Sequence, residues 1–136
     1  MGRHEQREQI FKLLFRVEFH SMEDIPEQVR LFLTDDEVFE LEKDTEYVSE
    51  RFDMIKSKIT ELDELINKNV DGWSTDRMGK VELAVLRLGV YEILFDDSIP
   101  GRVAVNEAVE IAKKYGQENS GAFVNAVLAK FMKTGD

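Results

Sequence analysis

The stretch KVELAVLRLGVYEILF, Lys80–Phe95, limits the folds open to this chain more than any other. Between residues 81 and 95 it holds eleven apolar or aromatic residues, one glycine and three charges. At 100° per residue those apolar positions cover nearly the whole helical wheel. Val81, Val85 and Leu88 face one way, and Leu83, Leu86, Val90 and Leu94 face the other. A helix that is apolar all round sits inside a protein or a membrane. About fifteen residues with charges among them are too few to span a bilayer, so this is a buried core helix. Other amphipathic helices must pack around it.

The rest of the chain supplies such helices. Ile10, Leu13, Leu14 and Val17 form the apolar face of a first helix over about residues 3–20. Pro26 opens a short second helix through Val29, Phe32 and Leu33. A long third helix is expected from about residue 44 to 68. There Val48, Phe52, Ile55, Ile59, Leu62 and Ile66 recur at steps of four and three, a narrow helix-packing seam that suits packing within the chain or a coiled-coil dimer. Residues 69–75, which include the only tryptophan, Trp73, read as a linker. A fifth helix spans about residues 103–115 and ends at Gly116, a natural C-cap. Asn119 or Ser120 caps a last helix that packs through Phe123, Val124, Val127, Leu128 and Phe131. The fold class is all-α: one domain over residues 1–136, with an N-terminal sub-bundle (about 1–70) and a C-terminal sub-bundle (about 73–133) around the buried central helix.

Composition narrows the functional classes. The chain has no cysteine, which excludes disulfides and thiolate metal sites and makes a cytoplasmic address the default. Glu5, Arg7 and Glu8 interrupt any signal-peptide core at the start. Net charge is −10 but unevenly spread: residues 1–20 sum to +1, residues 21–101 to −12 and residues 102–133 to +2, the last through Arg102, Lys113, Lys114, Lys130 and Lys133 against three glutamates. Two readings fit: a solvated acidic surface with chance variation at the ends, or an acidic face and one basic patch built from both termini. His4, Arg7, Phe11 and Phe15 fall on one edge of the first helix, where cations followed by aromatics suit a phosphate backbone with stackable bases beside it. Phe11 belongs with the core. Phe15, further from the centre of the apolar face, is the candidate for a working surface.

Catalytic patterns are weak. The two histidines have no second ligand at metal-binding spacing. Residues 116–121 have the glycine spacing of a phosphate loop but continue Ala-Phe and follow no strand, so they read as a helix–helix turn. With no nucleophile–base set and no cofactor fingerprint, the chain reads as a binding module, not an enzyme.

Three segments, WSTDRMGKVELAVLRLGVYEILF, VAVNEAVEIAKKYG and SGAFVNAVLAKF, taken in that order, resemble the NusB family of bacterial transcription antitermination factors. The likeness is close over about residues 73–131 and looser in the first helix. It implies an all-α fold of two helical bundles and binding of the boxA element of ribosomal RNA leaders together with NusE, a small-subunit ribosomal protein. It also implies that this complex joins RNA polymerase. The family's arginine-rich start falls on Arg3, His4 and Arg7, interrupted here by Glu5, and its following aromatic falls on Phe15. Its C-terminal RNA-contacting segment falls on Asn119, Ser120 and Phe123. Phe123 also begins the last helix's apolar series, so core and stacking roles both stay open for it.

Glu82 interrupts the central helix near its start and is expected at the surface, where it suits a basic protein partner. Arg87 lies deep in the same helix and needs a partner, with Glu107 or Glu110 as candidates. Neither a cofactor nor a metal is expected, and the seam packed within the chain implies a monomer or weak homodimer. Two alternatives keep the fold: an RNA-binding appendage of a ribosomal RNA methyltransferase, whose glycine-rich cofactor loop this sequence lacks, and a protein–protein scaffold built on the seam.

Overall fold

The computed structural model describes residues 1–70, 72 and 74–132. Trp73 of the expected linker and Lys133 of the C-terminal basic set lie outside the described residues. Among those described there are seven α-helices and no strand: α1 Arg3–Val17, α2 Ile25–Leu33, α3 Glu42–Lys56, α4 Ile59–Lys68, α5 Lys80–Phe95, α6 Gly101–Tyr115 and α7 Ser120–Ala129. No helix is long and apolar enough to cross a membrane among them. The chain divides into two compact units, Met1–Ser57 and Lys58–Asp136.

In the first unit α1 packs on α2 and α3, and α2 packs on α3. Ile10, Phe11, Leu13 and Leu14 of α1 are buried together with Ile25, Val48, Phe52 and Ile55. Phe11 is therefore core, as its place on the wheel required. Pro26 stands in the first turn of α2, where a missing backbone N–H costs nothing.

The single long helix expected over residues 44–68 is two helices. α3 ends at Lys56, and Lys58 leaves helical geometry at φ −111°, ψ 8°. The Ser57 hydroxyl donates to the Met54 carbonyl at 2.7 Å, a local bond that competes with the helical ladder. The two units meet in sequence at this break, upstream of the 69–75 stretch where the sequence reading divided them. Apolar spacing continues across the interruption, and Val48, Phe52, Ile55, Leu62 and Ile66 are all buried within this one chain. Ile59, just after the break, is half-buried.

In the second unit α4, α6 and α7 pack on α5, and α6 packs on α7. Every residue from 83 to 92 is buried, as an all-round apolar helix demands. Gly89 permits the close approach: a Cβ there would lie 2.7 Å from Leu128 Cδ1 and 3.5 Å from the Ala108 Cβ. Leu128 is itself fully buried and cannot swing into solvent. Gly89→Val is thus expected to cost about 1–3 kcal/mol by overpacking. Urea unfolding should show this as a lower midpoint with an unchanged slope.

Arg87, in the middle of α5, is only 5% exposed. Its Nε and Nη2 donate to the Asp63 carboxylate of α4 at 2.9 and 2.8 Å. The expectation named Glu107 or Glu110 of α6; the bidentate partner is Asp63 of α4, and Glu110 pairs instead with Lys113.

Candidate nucleic-acid interface

Each unit carries part of the set of residues read from the sequence. On the first, Arg3 and His4 open α1 and are exposed. The Arg3 Nη1 donates to Gln6 Oε1 at 3.1 Å, and its guanidinium lies 4.3 Å from the centre of the Tyr47 ring on α3. His4 stays 48% exposed, with Nε2 3.8 Å from Glu8 Oε2 one turn on.

Arg7 is placed differently from Arg3. It is 6% exposed, between buried Gln6 and Glu8. Its side chain belongs to the packed side of α1, so the cation displayed to solvent at this end is Arg3. The sequence reading assigned both to phosphate contact, and charge alone could not tell the two sides of the helix apart.

The start of α1 is held in place by a buried carboxylate. Asp44 of α3 is 2% exposed and accepts from Gln6 Nε2 at 2.9 Å and from the Met1 amino group at 3.1 Å. Burial pushes this carboxyl up, but the Gln6 hydrogen bond and the amino group outweigh it and hold it below its ordinary value. A depressed carboxyl stabilises the fold above its unfolded value of about 3.9 and loses that contribution as pH falls through its native value. Acid unfolding below about pH 4 should accordingly be less steep in Asp44→Asn than in the unaltered chain.

Phe15 is half-buried, and its ring stands 6.2 Å from Phe11 and 4.9 Å from Phe19. The three rings grade from core to solvent, ending at Phe19, which is 59% exposed. The sequence reading stopped at Phe15 and did not reach Phe19; their four-residue spacing on one edge was the available signal.

On the second unit, Asn119, Ser120 and Phe123 meet Glu82 in one groove, lined also by Met78, Gly79 and Gln117. Asn119 is exposed and its amide makes no cap bond to α7, so it faces outward with donors and an acceptor. Phe123 is half-buried and offers part of its ring to the groove.

Ser120 is 1% exposed. Its hydroxyl donates to Glu82 Oε1 at 2.8 Å and accepts the Gln117 N–H at 2.8 Å. A Cβ at Gly116 would lie 2.5 Å from that hydroxyl and 2.7 Å from the Ala112 carbonyl, so only glycine fits the turn. Of the three residues the resemblance assigns to RNA here, Ser120 is the buried one, bracing the α6–α7 turn beside Asn119 and Phe123. Glu82 sits in the first turn of α5, where a carboxylate is favoured by the helix dipole. The sequence reading gave it to a protein partner, and the fold puts it in the wall of the groove that holds Asn119 and Phe123.

Two of the described C-terminal cations are engaged nearby. Lys130 Nζ donates to the Asn69 carbonyl at 2.7 Å, and Lys113 lies 3.8 Å from Glu110. Among the described residues no group of His, Cys, Asp and Glu is arranged to hold a metal ion.

Seven helices in two units, with an apolar helix at the heart of the second, place the chain in a class of small all-α proteins. Its sequence matches the pattern of the NusB family over residues 4–133. It is 51% identical over 131 residues to the transcription antitermination protein NusB of Agathobacter rectalis, covering 96% of this chain and 99% of that protein. The NusB structure of T. maritima superposes with a TM-score of 0.84 at 39% identity, covering 98% of this chain and 92% of that one. A structure of the antitermination factors NusB and NusE in complex with dsRNA gives a TM-score of 0.79 at 30% identity, covering 95% and 94%. The chain belongs to the NusB family.

Proposed function

We propose that this chain is a transcription antitermination factor that binds boxA RNA of ribosomal RNA leaders together with NusE and so joins the RNA polymerase antitermination complex. The observation that carries the reading is the full-length likeness to a protein solved with NusE and RNA. The chemistry on each unit agrees with it. Arg3, with His4 beside it, supplies charge for phosphates, and Phe15 supplies a stacking face. Arg7 supports the same end of α1 from its packed side. In the second unit Phe123 offers a ring and Asn119 an amide that can read a base edge, beside the turn that the Gln117–Ser120 bond closes. Glu82, half-exposed and anionic, meets the basic protein partner.

The chain is a monomer or weak homodimer in this reading, since five of the six residues that would form a coiled-coil dimer, all but half-buried Ile59, are buried within the chain. A cytoplasmic address follows from the role. Transcription in vitro through a terminator tests the proposal. With NusE present, the chain should raise read-through on a template carrying boxA. Equal read-through with boxA scrambled would refute it.

A further inference from the structure

Apart from the residues read from the sequence, α3 brings a second cation and an aromatic to the start of α1. Lys43 is exposed and Tyr47 half-buried, one helical turn apart on the same side of α3. Together with Gly2, Arg3 and Gln6 they line an open concavity on the first unit. The Asp44–Gln6 hydrogen bond pins the two helices to each other at this point.

The arrangement is built for an anion with a hydrogen-bonding edge. The Arg3 guanidinium lies 4.3 Å from the centre of the Tyr47 ring and gives one N–H to Gln6, which holds it at this spot with further donors of its five to offer. Arg51 approaches the same ring at 5.5 Å. Lys43 adds a compact point charge at the rim. Neither Gly2 before α1 nor Leu41 before α3 contributes a side-chain cap, though Glu5 and Glu42 in the first turns offset part of the positive dipole ends, so the anion affinity rests on Arg3 and Lys43. Asp44, buried beneath the concavity, already has the Met1 amino group and Gln6 as partners. Glu42 and Glu46 flank Lys43 on α3 and keep the cationic area small, the scale of one phosphate and not of a broad basic face.

We infer that Lys43 and Tyr47 of α3, with Arg3 of α1, form a phosphate-binding subsite for single-stranded RNA. The inference rests on the RNA-binding reading above and extends it from α1 onto α3. Lys43 contacts the phosphate directly. Tyr47 is a positioning residue: its ring keeps the Arg3 guanidinium at the concavity, where its N–H donors meet phosphate oxygens. An acidic protein segment would satisfy the charges, but the stacked guanidinium on an aromatic platform suits nucleic acid better.

The test uses the full chain and fluorescently labelled boxA RNA, titrated across a KCl series. Lys43→Gln, at an exposed position, should leave the thermal melt unchanged, weaken binding several-fold at low salt, and reduce the slope of log K against log salt by about 0.7, the value for one single-strand phosphate contact. Tyr47→Leu should reproduce the loss seen in Arg3→Gln, and the double variant should lose little more than either alone. A wild-type slope in Lys43→Gln alongside weakened binding in Arg3→Gln would overturn the subsite and leave the RNA-binding reading standing. Intact RNA binding with lost NusE binding in Lys43→Gln would assign the surface to protein and also overturn it. Failure of the unaltered chain to bind boxA at any salt, with or without NusE, would remove the RNA-binding reading and the subsite with it.

Discussion

Replacing Asp63 with alanine is expected to destabilise the second unit by about 3 kcal/mol, which would be the largest loss from any single truncation of a charged residue here. The cause is what remains behind. Arg87 is 5% exposed in the middle of the core helix, and Asp63 accepts from two of its nitrogens at 2.9 and 2.8 Å. Without the carboxylate, the guanidinium keeps its burial and loses a bidentate, charge-assisted pair. The figure stays at the lower end for a broken buried pair because the Asp63 side chain is 23% exposed and water can take part of its place. Asp63→Asn keeps one acceptor and should fall between alanine and the unaltered chain. Urea denaturation followed by circular dichroism reads all three, and a loss below about 1 kcal/mol in Asp63→Ala would show the pair to be marginal.

Loss of RNA binding is expected from two substitutions, with different signatures. Arg3→Ala should weaken binding to all RNA sequences alike and flatten its salt dependence, because a phosphate contact releases counterions. Phe123→Ala should cost on the order of 1–3 kcal/mol of binding through a lost stacking face while keeping the salt slope. The structure makes the second experiment practicable, since Phe123 is half-buried and not sealed in the core. Thermal melts must accompany both titrations. An unfolded Phe123→Ala would return that ring to a core role, and unchanged affinity and slope in Arg3→Ala would remove the N-terminal contact. Arg7→Ala belongs with the stability variants, because Arg7 is packed and not displayed.

The parts of this fold legible in the sequence are those where one helix decides its own fate. Residues 83–92 are buried because no face of α5 is polar enough for water, and that can be read from the string alone. The break at Ser57 was not legible. Ile55 and Ile59 keep the four-residue step across it, so the apolar pattern runs on while the backbone does not. Side-chain placement that depends on a second helix was hidden for the same reason. Arg3 and Arg7 are equivalent cations in the sequence; packing exposes one and covers the other. Ser120 is a helix-start hydroxyl by sequence, and only the position of Glu82, 38 residues upstream, shows that it faces inward. Lys43 and Tyr47 gained meaning only when Arg3 lay across the ring.

A chain that reads boxA RNA in company with NusE binds by a rule that depends on both the RNA sequence and the partner. Titration of labelled boxA RNA with the chain alone, with NusE alone and with both tests it most directly, using a scrambled RNA of equal length in parallel. The pair should bind boxA more tightly than either protein does alone, and the same pair should bind the scrambled RNA more weakly. Equal binding of boxA and scrambled RNA, or no gain from adding NusE, would contradict it.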